Sequence, residues 1–225
     1  MRAAARPLEN GKEDRRRART RAALLQAGRT LFAECAVDGV SVDDIVLRAD
    51  VAKGSFYNHF ADKDELARHV AAEVRAEAEA LVGAANRAVA DPALRVAQAL
   101  CVFVQFAAER PEKVRALMRL HSGATLPEAP FNSGVRADLQ RGIAERRFSD
   151  VTLPAGLLLV IGTVQIAMGR ALEAERPVAL AELARDLGFL LLRGLGLAAK
   201  DAVTVAGRAA ERILPSAGPR TRRRP

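Results

Sequence analysis

Apolar residues recur at helical spacing along most of this chain, and no stretch alternates apolar and polar positions as a half-buried strand would. Leu24, Leu25, Gly28, Leu31, Phe32 and Cys35 fall on one side of a helix predicted over residues 20–35, with Gly39 as a stop beyond it. Val42, Ile45 and Ala49 share one face of a short second helix over 42–49. Ser41 stands before it as N-cap, and Asp44 three residues on completes a capping-box pattern. A third helix over 52–59 puts Phe56 and Phe60 on one face. Asp62 caps a fourth over 62–85, and Asp91-Pro92 open a fifth running to Glu109, apolar nearly all round between Leu100 and Phe106. Pro111 starts a sixth, ending near His121, and the Gly- and Pro-rich run 122–131 is a loop. Further helices are predicted over 132–147, 152–174, 179–199 and 201–214, with Pro177 breaking the chain between two of them. The pattern predicts an all-α protein without internal repeats.

The second and third helices, joined by a tight turn, carry the most specific chemistry. Opposite Phe56 and Phe60 the third helix presents Gly54, Ser55 and Asn58, flanked by Tyr57 and His59, with Lys53 at its start. A glycine lets the backbone approach closely, a hydroxyl and an amide can read base edges, and a lysine, phenol and imidazole can hold phosphates. That face suits a DNA major groove, with Ser55 or Asn58 on the bases and Lys53, Tyr57 and His59 on the backbone. The alternative at this point is an αα-hairpin that only packs.

Residues 20–66 resemble the N-terminal domain of the TetR family of bacterial transcriptional regulators. The resemblance rests on TRAALLQAGRTLFAE over 20–34, SVDDI over 41–45, KGSFYNHF over 53–60 and DKDEL over 62–66. It implies an N-terminal three-helix helix-turn-helix DNA-binding domain followed by a C-terminal helical ligand-binding and dimerisation domain. It makes 53–59 the recognition helix, places Ser41, Val42, Lys53, Gly54, Ser55, Tyr57, Asn58, His59 and Lys63 at DNA, and makes Lys63 a phosphate contact. Two residues depart from the family pattern. Asp50 stands where the inter-helix turn usually has Gly, and Asp tolerates the left-handed backbone such a turn needs. Ala52 stands where Ser or Thr is frequent, which removes a helix cap.

Charge sharpens the picture. The 225 residues carry a formal net charge of +8, concentrated at the ends. Residues 1–21 hold eight basic and three acidic side chains, and 215–225 hold four arginines and no acid, leaving the rest near neutral. Basic ends beside a reading head suit DNA phosphates, and a solvated tail is the plain alternative. The expected organisation is a disordered basic arm over 1–17, the DNA-binding domain over 18–66, a helical regulatory and dimerisation domain over 67–214, and a basic tail over 215–225. Cys35 and Cys101 are far apart and lie in no CxxC motif, which fits a reducing cytoplasm and argues against a zinc site of common spacing. Residues 151–169 are uncharged, but Pro154, Gly156, Gly162, Thr163 and Gln165 interrupt them, so a buried or interface helix explains them better than a membrane span.

The eighth and ninth helices carry more apolar surface than a small domain needs, with glycines at 156, 162, 169, 188, 194 and 196 that allow close approach. A symmetric dimer is the natural use, with Leu157, Ile161, Val164, Leu187, Leu191 and Leu195 as its expected face. The resemblance implies a small-molecule pocket between residues 91 and 175. Its candidates are Phe103, Phe106, Met118, His121, Gln165 and Met168, each of which can equally be ordinary core or solvated surface. No cofactor or metal is expected. The chain has no GxSxG, P-loop, GxGxxG or HExxH motif, so an enzyme is a remote alternative. A non-specific DNA-compacting protein is the nearer one. The expectation is a dimeric, cytoplasmic regulator, a repressor by resemblance, that binds a palindromic operator and is released by a small molecule.

Overall fold

The structure, a computed structural model, describes residues 8–120, 132–174 and 177–214. Every regular element among them is helical: α1 (Leu8–Glu34), a 3-10 turn (Val37–Gly39), α2 (Val42–Ala49), α3 (Lys53–Tyr57), α4 (Lys63–Ala85), α5 (Pro92–Glu109), α6 (Pro111–Arg119), α7 (Ser133–Ala144), α8 (Leu153–Leu172), α9 (Pro177–Gly194) and α10 (Ala199–Ile213). The described residues form two compact units, one of 8–74 with 115–120 and one of 75–114 with 132–174 and 177–214.

The first unit is the reading head. Leu24, Phe32, Ile45, Phe56, Phe60 and Leu66 are its fully buried large side chains. Gly28 lets α1 and α4 close together, since a Cβ there would lie 2.9 Å from Leu66 Cδ2. The expected boundary at residue 66 falls short. Leu66, Val70 and Val74 are all buried at successive i+4 positions, so the head's apolar stripe continues along α4 to Val74. The expected disordered arm is also corrected. Helix α1 begins at Leu8, so residues 8–17 are helical: Glu9, Lys12, Glu13, Arg15, Arg16 and Arg17 favour helix, and the stretch continues outward from the packed part of α1 despite Asn10 and Gly11. Residues 1–7, the expected loop 122–131 and the tail 215–225 lie outside the described residues.

The second unit is built around α5, which packs against α7, α8, α9 and α10. The predicted Asp91 cap forms here, and Thr152 caps α8. Asp91 accepts from the Ala93 amide at 3.0 Å, and Thr152 accepts from the Ala155 amide. Arg147 joins three places: it donates twice to Asp91 at the start of α5 (2.9 and 3.0 Å) and once to Asp201 in the first turn of α10. Arg95 pairs with Asp138 of α7 and donates to the carbonyls of Asn86 and Val89. Two helices end earlier than predicted. Helix α7 stops at Ala144, because Arg146 turns left-handed (φ 57) and the Arg147 and Phe148 amides both bond back to the Gly142 carbonyl, which buries Phe148. Helix α9 stops at Gly194 instead of running to 199, since the chain reverses through Gly196 (φ 91) to bury Leu195 and Leu197.

Candidate nucleic-acid interface

Helix α2 is built as its sequence demands. The Ser41 hydroxyl accepts from the Asp44 amide at 3.1 Å, while the Asp44 carboxylate accepts from the Ser41 amide at 2.9 Å and hydroxyl at 2.6 Å. Those bonds, the hydroxyl's first, hold the Asp44 carboxyl below its ordinary value. Asp50 closes the helix in the left-handed conformation (φ 53, ψ 49), so an aspartate does make the turn. Ala52 supplies no side-chain cap to α3.

Helix α3 has only five residues, shorter than the predicted 52–59. The amides of His59 and Phe60 both bond to the Phe56 carbonyl (2.9 and 3.0 Å), and this turn folds Phe60 back into the core. Phe56 and Phe60 lie 5.9 Å apart between ring centroids and anchor the inward side. Lys53, Gly54, Tyr57 and Asn58 are exposed, and Ser55 and His59 half-buried. A Cβ at Gly54 would meet nothing within 4 Å, so at this point the backbone itself is open to a close partner. Ser41 is exposed and Val42 half-buried at the start of α2.

Lys53 pairs with Asp43 of α2 at 2.8 Å, and that hydrogen bond and charge hold its ammonium above its ordinary value. His59 is pushed below its ordinary value, first by burial and then by the charges of Arg17 and Arg21, which favours a neutral ring. Lys63, expected at a phosphate, is engaged within the head. Its ammonium donates to the carbonyls of Val37 (2.9 Å), Asp38 (3.3 Å) and Val40 (3.1 Å). An ammonium has three protons, and all three are committed, so Lys63 clamps the turn after α1 to the start of α4.

The structure brings Ser41, Val42, Lys53, Gly54, Ser55, Tyr57, Asn58 and His59 together across α2, α3 and the turn that follows. A short helix held by two aromatic anchors, with a small polar outward face, can enter a major groove and present side chains to base edges. The bacterial regulatory protein, tetR family, model matches residues 24–70, which spans this head from Leu24 of α1 to the third turn of α4. The head over residues 24–70 is thus of the TetR type.

Solved structures agree in fold. RolR in complex with resorcinol is 25% identical, with 90% of this chain and 98% of that one covered and a TM-score of 0.54. CprB from S. coelicolor is 20% identical over 87% of this chain and 98% of that one, with a TM-score of 0.61. A putative tetR family transcription regulator from Shewanella sp. PV-4 is 16% identical over 80% and 99%, with a TM-score of 0.67. The likeness in fold thus extends past the matched head to the all-helical architecture of the rest.

The other expected site residues scatter. Of the pocket candidates in the second unit, Phe106 and Met168 are buried and Phe103 and Gln165 half-buried. Met118 groups with the reading head, and His121 lies outside the described residues. Sequence reasoning singled out Gln165 as the unusual amide, but Gln98 is the buried one. It is 1% exposed on α5, and its Oε1 has no hydrogen-bond partner. The signal was present: Gln98 is the one amide between Val96 and Val104.

The expected dimer face is corrected as well. Leu157, Val164, Leu191 and Leu195 are buried within the chain itself, and Ile161 and Leu187 are half-buried. Gly156, Gly188 and Gly194 also face internal neighbours, namely Leu139 and Leu195, Ala206, and Leu159. The large apolar side chains that α8 and α9 leave outside are Leu158 (50% exposed), Ile166 (63%) and Leu190 (61%), with Gly162 open beside the first two. Helix α8 alone among the described helices is long and apolar enough to cross a membrane, and its inner side packs on α5, α7 and α9. Among the described residues no group of three His, Cys, Asp or Glu is placed to hold a metal ion. Burial pushes the Cys101 thiol up to about 12, which leaves it unreactive at neutral pH.

Proposed function

We propose that this chain is a cytoplasmic repressor of the TetR type rather than an enzyme, that it binds a palindromic operator as a homodimer, and that a small molecule releases it. The carrying observation is the outward face of α3, where Lys53, Gly54, Tyr57 and Asn58 are exposed to solvent opposite two buried phenylalanines. Residues 8–74 serve as the DNA-binding head and the second unit as the regulatory and dimerising body. Ser55 or Asn58 reads bases, and Lys53 and Tyr57 hold phosphates. His59, biased to the neutral ring, contributes as a hydrogen-bond donor.

Pairing of two chains through the exposed stripe Leu158, Gly162, Ile166 and Leu190 supplies two heads for two half-sites. The effector enters the body, among Phe103, Phe106, Gln165 and Met168. Gln98 Oε1 favours a mainly apolar molecule carrying a hydroxyl, which would satisfy the orphaned acceptor. RolR, solved with resorcinol, gives a precedent for such a ligand on this fold. Effector binding shifts operator affinity only through its differential affinity for the two arrangements of the heads, and α4 is the continuous helix that would carry the change.

The test is a gel shift of the full-length protein on fragments of its own upstream region against random DNA of equal length. Retention of an upstream fragment in large excess of random competitor supports a specific regulator. Equal retention of both means a DNA-compacting protein instead.

A further inference from the structure

Helix α1 is longer than the head requires. The helix starts at Leu8, residues 13–19 are exposed without exception, and from residue 13 onward the first buried side chain is Leu24. Nothing apolar is gained along this stretch. What it carries is charge: Arg15, Arg16, Arg17 and Arg19, against Glu13 and Asp14.

The base of this extension is pinned beside the reading helix. Arg21 shares a hydrogen bond with His69 of α4 (3.1 Å), lies 3.8 Å from Glu73, and sits 5.3 Å from the centroid of the Phe60 ring. Arg17, one turn earlier on the same face, and Arg21 both lie near enough to His59 to repel its protonated form. Arg15 and Arg19 share another side of the helix, with Arg16 next to them at helical spacing. A rigid row of exposed guanidiniums therefore leaves the head at the end of α3, the element proposed to enter the groove.

We infer that the helical extension over residues 13–19 is a second DNA-contact element, in which Arg15, Arg16 and Arg19 bind backbone phosphates of the duplex flanking the half-site read by α3. This rests on the proposal that α3 enters the major groove. The contact is independent of sequence, since guanidiniums on phosphates carry no base information. The helical residues from 13 up to Leu24 span about 16 Å, or roughly five base pairs of duplex.

The experiment compares the full-length protein with its Arg15→Gln/Arg16→Gln/Arg19→Gln variant, glutamine keeping helix propensity. A duplex selected by the wild type from a randomised pool is used in two lengths: with ten flanking base pairs on each side, and trimmed to the recognised core. On the long duplex the variant is expected to bind about ten-fold or more weakly, with the slope of log affinity against log salt shallower by about two to three. On the trimmed duplex the two proteins bind alike. Wild-type affinity and salt slope for the variant on the long duplex overturn the inference. An equal loss on both lengths overturns it too, because the arginines then act inside the core. A wild type that selects no sequence at all overturns the groove-reading proposal, and this one with it.

Discussion

Lys63 donates to the carbonyl of Val37 at 2.9 Å, across 26 residues of chain. The same ammonium takes the carbonyls of Asp38 and Val40, so one side chain holds the turn between α1 and α2 against the first turn of α4. That turn leads directly into α2. Lys63→Met is expected to lower head stability, on the order of 1–3 kcal/mol, because charge-assisted bonds are lost and carbonyls are left short of donors. Thermal melting reads that loss. Operator binding measured well below the melting range keeps its salt slope. An unchanged melt with a shallower slope would make Lys63 a phosphate contact after all.

Lys53 is expected to behave in the opposite way. Its pair with Asp43 is exposed, and such pairs contribute little to folding. Lys53→Ala leaves the melt in place and reduces the salt slope by about one, equally on all DNA sequences. Ser55→Ala, by contrast, changes preference at particular half-site positions by roughly 1–3 kcal/mol in a randomised-site selection. A uniform loss at every position for Ser55→Ala would remove it from base reading.

Adjacent leucines separate the proposed dimer face from the core. Leu190 is exposed and Leu191 buried, so Leu190→Glu is expected to give folded monomers and Leu191→Glu insoluble or unfolded protein. Sedimentation and circular dichroism distinguish the two. A well-folded monomeric wild type at micromolar concentration would refute dimerisation through this stripe.

Glu79 in α4 has its carboxyl raised above the ordinary 4.5 by burial. A raised folded-state value means the unfolded chain releases its proton first, so stability falls as pH climbs from the ordinary value through the raised one. Glu79→Gln removes that penalty. The variant should melt higher than wild type at pH 7 and show no advantage below the ordinary value. An advantage that persists unchanged in acid would assign it to something other than the charge.

Asp91 runs the other way. Burial alone would raise its carboxyl, but the Arg147 hydrogen bond, the Ala93 amide, the Arg147 charge and the Leu94 amide together hold it below 3.8. Its contribution is therefore present above the ordinary value and lost as pH falls through the lowered one. Melting of Asp91→Asn should be lower than wild type at neutral pH, with the gap closing in strong acid. A gap that is the same at every pH would mean the residue acts only as a helix cap.

Local features were legible from the residues alone. The Ser41–Asp44 box, the Asp91 cap, the left-handed Asp50 and the inward pair Phe56 and Phe60 all depend on neighbours within four positions, where spacing dictates contact. The TetR-type head was legible for the same reason, since its signature residues occupy one continuous stretch. The rest needed the third dimension. Helix α8 carries no charge before Arg170, so its sequence marks no inner face, and only the placement of α5, α7 and α9 decided that Leu157 turns inward and Leu158 and Ile166 outward. Helix α9 is different: Glu182, Arg185, Asp186 and Arg193 share one side, and the buried Leu191 and Leu195 lie opposite them. Lys63 reads as a free cation until carbonyls 23 to 26 residues away close around it. Gln98 reads as a tolerable polar position until α5 is surrounded and its carbonyl oxygen is left without a donor. Periodicity specifies that a helix has faces, whereas which neighbour meets each face depends on contacts distant in the chain, and a single sequence does not encode these as local spacing.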